Sequence, residues 1–314
     1  MNIMAIPFRI LFLGCLLPGW AATAVADAVP SEQPEEETLS APARSLDEIA
    51  RDLANPATTL TTLRNDFEFR SYQGNLPGAG DQDSWRYVLT PTLPIRLNGN
   101  RQLRLRATIP INTDQPLYLS EGEQYSEWKI RRWADVLPRD GEFITGHDHL
   151  DDVGVDIAYG GTSDNGLIGM FGLKAVFPSS QDLSSSRDEW LLGPEVVVGK
   201  EASWGVVGVT ASHLVDVSGE SEYRTKLSEL DVFFAWGLGN GWQVISNPKI
   251  EYDWEAAGDN RLLLPIGGGI SKTFRIGRTP LKLDAELYNY LESPEALGPD
   301  WQFSFTVTPA FGGF

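Results

Sequence analysis

The stretch from Pro299 to Phe311 constrains this chain more than any other. Trp301, Phe303, Phe305, Val307 and Phe311 hold the odd positions, and Gln302, Ser304, Thr306 and Thr308 hold the even ones between them. This period of two puts aromatic bulk on one face of a strand and small polar groups on the other. Two environments accept such a strand: a half-buried place in a sandwich, or a barrel wall with lipid outside and a polar lumen inside.

The same alternation recurs from Asp66 onward. Phe67 and Phe69 alternate with Glu68 and Arg70, and Tyr87, Leu89, Leu93 and Ile95 with Arg86, Thr90, Thr92 and Arg96. Leu103, Leu105, Ala107 and Ile109 alternate with Arg104, Arg106 and Thr108. Further strands fall at Val153–Tyr159 with Asp156 on the other face, at Leu167–Phe177 with Lys174, at Trp190–Val198 with Glu195, and at Trp204–Val215. Ser228–Leu238 opposes Glu229 and Asp231 to Leu230, Val232, Phe234 and Trp236, and Trp242–Trp254 carries Asn247, Lys249 and Glu251. A Gly-rich strand at Leu262–Phe274 and one at Leu281–Leu287, with Lys282, Asp284 and Glu286, precede the closing strand. About twelve strands result.

The connections separate the two environments. Short turns follow the even strands: Asn98-Gly99-Asn100, Gly160 to Asn165, Lys200-Glu201-Ala202, Gly239-Asn240-Gly241 and Ile276 to Thr279. Longer polar loops follow the odd ones, the longest from about Asp114 to Gly146. Strict alternation with both chain ends on the short side predicts an all-β, up-and-down transmembrane β-barrel with an even number of antiparallel strands. A Greek-key sandwich predicts no such rhythm. Pro91, Pro94, Pro110, Pro194, Pro248 and Pro265 fall within predicted strands and are expected at bulges or rims, because proline brings no ladder donor.

Residues 1–26 read as a secretory signal. Arg9 precedes the apolar run from Ile10 to Trp20, and Ala24-Val25-Ala26 supplies a small-x-small cleavage site. Leu13-Gly14-Cys15 suggests a lipoprotein signal, but Phe12 stands where Leu is usual and the apolar run continues beyond the cysteine. Cleavage after Ala26 removes the one cysteine, and with it any disulfide or thiolate site. Residues 27–64 read as a periplasmic linker and a short helix: Ser45 as cap, Glu48 three residues on, Leu46, Ile49, Ala50 and Leu53 at helical spacing, and a stop near Asn55-Pro56. This helix either packs on the periplasmic rim or plugs the lumen. Residues 65–314 form the barrel. A formal charge of −18 on an exported chain argues against nucleic acid as a partner.

Phe177-Pro178, Trp190-Leu191-Leu192-Gly193-Pro194, Gly241-Trp242-Gln243, Pro248, Trp254, Leu264-Pro265-Ile266-Gly267-Gly268-Gly269 and Pro299-Asp300-Trp301-Gln302 form an ordered series. Together with the segment from Ala54-Asn55-Pro56 to Asp66-Phe67, it resembles a family of Gram-negative outer-membrane β-barrel proteins. That family is related to porin-like transporters of phenol-degradation type, which genome pipelines often mislabel "neuromedin U". The resemblance covers most of the chain after the signal. It implies a cell-outer-membrane location and passage of small solutes, hydrophobic or aromatic compounds among them. The chain departs from the family pattern in Leu263-Leu264-Pro265, where Trp usually precedes the Pro, and in the tail Gly312-Gly313-Phe314, where a bulky apolar run is usual. Phe311 and Phe314 are the two candidates for the aromatic that the barrel assembly machinery reads. Outer-membrane lipid and lipopolysaccharide are the other expected partners.

Few residues suggest chemistry. Ser212 and His213 are adjacent on a strand and so point to opposite faces, which rules out a nucleophile–base pair. His213 reads as a rim histidine. His149 with Asp151 or Asp152 is an alternative site for a rim hydrolase or a bound divalent cation, beside the reading of a solvated acidic loop. No phosphate loop or zinc spacing occurs, so no catalytic residue, metal or cofactor is assigned. The inward charges are the lumen candidates: Arg70, Arg86, Arg96, Arg104 and Arg106 as a basic wall, and Glu229, Asp231, Glu251, Asp284 and Glu286 as an acidic wall facing it. The walls either frame a hydrated constriction for passive solute passage, or meet as ion pairs and close the barrel. A closed structural or surface-interaction barrel is the remaining alternative, with the Asp114–Gly146 loop as its contact element; Trp128 and Trp133 in that loop either fold inward as a constriction or outward as an adhesive patch.

Overall fold

The computed structural model describes residues 44–118, 141–145, 149–180, 189–219, 224–256 and 258–312. The signal segment with Cys15, most of the linker, Trp128, Trp133, His147 and Phe314 lie outside the described residues.

Twelve strands run β1 (Thr61–Gln73), β2 (Asp83–Arg96), β3 (Gln102–Thr113), β4 (Val153–Thr162), β5 (Leu167–Phe177), β6 (Glu189–Ala202), β7 (Gly205–Gly219), β8 (Lys226–Gly239), β9 in two pieces (Trp242–Ser246 and Lys249–Asp253), β10 (Leu262–Ile276), β11 (Thr279–Glu292) and β12 (Gly298–Phe311). Each pairs antiparallel with the next, and β12 returns to β1 through Phe67↔Phe305 and Phe69↔Phe303. Every barrel strand is paired on both sides along at least part of its length, so the sheet closes on itself. On β12 Gln302, Ser304, Thr306 and Thr308 are buried inside, while Phe303 and Phe305 face outward. One long loop adds small pieces of its own: Pro116–Tyr118 pairs with Phe143–Thr145, and His149–Leu150 extends the sheet beside β3.

The short-turn end carries the tightest reversals. Between β8 and β9 only Asn240 (φ 52°) and Gly241 (φ 76°) turn the chain, the left-handed pair that a two-residue hairpin requires. A Cβ on Gly241 would stand 2.3 Å from the Thr273 carbonyl oxygen, so no other residue fits there without moving the wall.

Two expectations need correction. The first strand begins at Thr61 rather than near Asp66, because β12 extends far enough for Thr61 and Thr62 to pair with Phe311 and Ala310. Three of the six prolines mark irregularities: Pro248 falls where β9 breaks, Pro265 at a register shift, and Pro110 where the pairing along β3 slips by one residue between Thr108↔Gly154 and Ile111↔Leu150. Pro94 lies two residues from the short-turn end of β2, while Pro91 and Pro194 stand inside strands, each interrupting one ladder while its neighbours hold the register. His213 stands near the long-loop end of the barrel, opposite Ser228 at the start of β8. It lies on the outer wall with Nδ1 2.9 Å from Ser228 Oγ, which also accepts from Trp254 Nε1–H at 3.0 Å.

The break in β9 leaves a seam. β9 and β10 pair at Trp242–Ile245 with Gly269–Lys272, and again at Glu251 and Tyr252 with Leu263 and Leu262. Between these two patches no ladder pairing joins the strands, and Ser246 Oγ donating to the Gly267 carbonyl at 2.7 Å is a side-chain bridge there.

Candidate lumen and its periplasmic plug

The outer surface identifies the barrel's solvent. Phe171, Leu173, Val198, Ile270, Leu287, Phe303 and Phe305 point outward from the middle of the wall. Aromatic clusters bound this belt at both ends. At the long-loop end Phe69 packs against Trp85 and Trp301 (centroids 5.0 and 5.2 Å), Phe177 against Trp190 (5.0 Å) and Tyr252 against Trp254 (4.8 Å). At the short-turn end Trp204 stacks on Trp236 at 5.2 Å, and Lys272 Nζ sits 4.9 Å over Trp242. An apolar belt between two aromatic girdles on a closed barrel is suited to a lipid bilayer.

The mouth at the short-turn end is occupied. Leu46–Ala54 form helix α1, capped by Ser45 through a reciprocal box: Glu48 N–H donates to Ser45 Oγ, and Glu48 Oε2 accepts the Ser45 N–H at 2.7 Å. The bonds from the Ser45 backbone and hydroxyl hold the Glu48 carboxyl below its ordinary pKa. Nine residues are too few for a stable isolated helix, so its order comes from docking. Ile49 and Ala50 are fully buried against the barrel, with Leu60 beyond them. Asp47 Oδ1 accepts the Gly241 N–H at 2.6 Å, Arg51 donates to the Ser203 carbonyl at 3.2 Å, and Arg275 donates to the Arg44 carbonyl at 2.7 Å. Asn55 Nδ2 donates to Thr162 Oγ1 (2.9 Å) and Glu201 Oε2 (2.7 Å), and Gln102 Nε2 to the Thr58 carbonyl at 3.1 Å. Ala57 enters an inward apolar cluster of Ala158, Ile168, Met170, Val197, Val206 and Phe233. Of the two placements left open by the sequence, helix and following segment take the plug position.

Above this plug lies an internal cavity of about 500 Å³. Leu53 to Pro56 and Thr58 form its floor, and charged side chains from both halves of the barrel line its wall. Along β12 it reaches from Gln302 to Thr308, about 20 Å of strand. Arg70, Arg86, Arg104, Arg106, Asp231, Glu251, Asp284 and Glu286 all line it. Arg96 does not; it is exposed at the short-turn end, beyond the plugged level. Glu229 is held behind the lining.

The charges do not form two opposed walls. Arg104 donates to Asp156 at 2.9 Å and to Glu195, while Arg106 donates to the other oxygens of the same two carboxylates at 2.6 and 3.2 Å. Glu229 takes Lys174 and Lys249 (2.6 Å), and Lys249 also reaches Glu251 at 2.5 Å. Arg70 pairs with Glu68 on its own strand at 3.0 Å, and Lys282 with Asp284 at 3.3 Å. Arg86 pairs with Asp151 at 3.7 Å, and Glu286 accepts from Asn247 and Tyr288. Asp156, Lys174, Glu195 and Lys249 were visible on inward faces; Asp156 and Lys249 find partners on their own or an adjacent strand, whereas Glu195 and Lys174 reach partners on strands that are not their neighbours. A buried charge takes the nearest opposite charge that geometry offers, and the clusters satisfy that locally.

The chemistry suspected at the outer rim is otherwise engaged. Asp151 accepts from Asn112 at 3.1 Å, and Asp152 accepts the Ser180 N–H at 3.0 Å, so both aspartates tie strand ends to loops. Ser212 bonds Glu229 inside the barrel while His213 meets Ser228 outside, which separates the adjacent pair as expected.

A closed, lipid-facing barrel of twelve antiparallel strands with short turns at one end and long loops at the other is an outer-membrane β-barrel, and its plugged end is the short-turn end. Neither a family model nor a curated protein matches the sequence. Among solved structures it is similar to an outer-membrane channel from Pseudomonas putida F1, at 10% identity, a TM-score of 0.55, and coverage of 81% of this chain and 96% of that one. The toluene transporter TodX of Pseudomonas putida aligns at 10% identity over 83% of this chain and 93% of its own, with a TM-score of 0.40. LpxR from Salmonella typhimurium aligns at 10% identity over 79% and 99%, also with a TM-score of 0.40. At these identities the likeness is one of fold.

Proposed function

We propose that this barrel is an outer-membrane channel for passive passage of small polar solutes, closed at its periplasmic mouth by residues 46–60. The observation that carries this reading is the charge-lined cavity resting on the α1 segment. Its lining of paired acids and bases offers hydrogen bonds to a polar solute from every side. It offers little to a greasy one apart from Leu53, Phe233 and Ile245. Diffusion past fixed charges needs no cofactor or energy source.

A second reading, passage of hydrophobic or aromatic compounds, is favoured by the β9–β10 seam. There the wall lacks ladder pairing, and a greasy solute has the shortest path between lumen and lipid. Proteoliposome uptake separates the two. The primary reading predicts swelling in small amino acids and sugars, faster when residues 44–56 are deleted. Uptake of an aromatic hydrocarbon with no swelling in any polar solute would overturn it in favour of the seam.

A further inference from the structure

The two sides of the plugged mouth differ. On the β4–β8 side Ala57 is packed among Ala158, Ile168, Met170, Val197, Val206 and Phe233, with Ala54 against them. On the β9–β11 side the wall is polar. Gln243, Ser271 and Asp284 stand in register on β9, β10 and β11, and Thr273 follows on β10 beside Lys282. Gln243, Ser271 and Thr273 are at most 1% exposed. Yet both amide atoms of Gln243, the hydroxyls of Ser271 and Thr273, Asp284 Oδ1 and Arg275 Nε have no hydrogen-bond partner among the described residues. Only Arg86 Nε and Arg104 Nε share that condition elsewhere in the described barrel, so the orphaned groups concentrate on one wall. Buried polar side chains are almost always bonded to protein or water, and a contiguous row without protein partners is a surface built for water.

We infer that solute leaving the cavity passes between α1 and the β9–β11 wall, along Gln243, Ser271 and Thr273, and not along the apolar wall opposite. This rests on the channel reading above and specifies its periplasmic exit. Lys282 and Asp284 belong both to the cavity lining and to the start of this row, so the lumen continues into it. Packing of Ala54 and Ala57 on the apolar wall, together with the Asp47–Gly241 and Arg44–Arg275 hydrogen bonds, keeps the segment seated while the polar row conducts. Gln243, Ser271 and Thr273 are then residues that set conductance, although they carry no charge.

Thiol labelling and conductance test this together. In proteoliposomes, Ser271→Cys and Thr273→Cys should react with a small membrane-impermeant methanethiosulfonate, read by mass. Met170→Cys and Val206→Cys should stay protected, with the parent chain as background for Cys15. In planar bilayers Gln243→Leu/Thr273→Val should lower unitary conductance severalfold while Met170→Leu leaves it unchanged, every variant first shown to be folded by heat modifiability. Labelling of Ser271→Cys and Thr273→Cys in a barrel that never conducts would uphold the hydrated exit and remove the solute reading. A conducting barrel with these positions protected, or with Gln243→Leu/Thr273→Val conducting as the parent does, would overturn the inference.

Discussion

Arg104→Ala is expected to destabilise the barrel by about 3–5 kcal/mol, the range for removing one partner of a buried ion pair. The Arg104 side chain is 2% exposed and lies between Asp156 (4%) and Glu195 (2%). Without it two buried carboxylates share the single guanidinium of Arg106, itself 26% exposed. Neither carboxylate has water to turn to, so the cost is that of an uncompensated buried charge rather than of one lost hydrogen bond. The comparison is Arg224→Ala, whose side chain is 81% exposed beside Asp216, where at most about 1 kcal/mol is expected. Adding Glu195→Gln to Arg104→Ala should recover part of the loss, since it removes one of the stranded charges. Urea unfolding from lipid vesicles measures all of these. Equal, small losses for Arg104→Ala and Arg224→Ala would mean that water reaches the quartet and that it is part of an open passage instead of a strut.

Phe305→Arg is the second large effect. Phe305 stands near the middle of β12 on the outer face, opposite Phe67 on β1 and Ala285 on β11. An arginine there must place its charge in the hydrocarbon of the membrane or bend toward an interface, at about 2–4 kcal/mol near the midplane. Trp301→Arg, on the same face in the outer girdle, should cost about 0–1 kcal/mol, because the head groups solvate it. Reversible folding into bilayers reads the difference as a gradient with depth. Equal costs at the two positions would mean that this face does not meet lipid.

The wall was legible in the chain because its physics is local. Alternation such as Trp301 to Val307 reports a two-sided environment within one strand, and turn lengths report which end of the barrel each reversal occupies. The plug was half legible. Ser45, Glu48, Ile49 and Ala50 specify a capped amphipathic helix, but a greasy stripe does not say what it covers. Its seat depends on Gly241 N–H, Ser203 and Thr162, which come together only when turns far apart in sequence meet at one mouth. The lumen was least legible. Alternation placed Arg104 and Glu195 indoors, yet their pairing joins residues ninety-one positions apart on strands that are not neighbours. The row at Gln243, Ser271 and Thr273 carries no charge to draw attention, and its meaning lies in its having no hydrogen-bond partners among the described residues.

The most direct test of the account is single-channel recording in a planar bilayer, comparing the chain after its signal with the same chain lacking residues 44–56. The account predicts small unitary steps from the first protein and steps several times larger from the second, because the deletion removes the floor of the cavity and α1 itself. Folded, heat-modifiable barrels that show no steps in either form would contradict it: the interior would then be closed by its own ion pairs, and the protein would not be a channel.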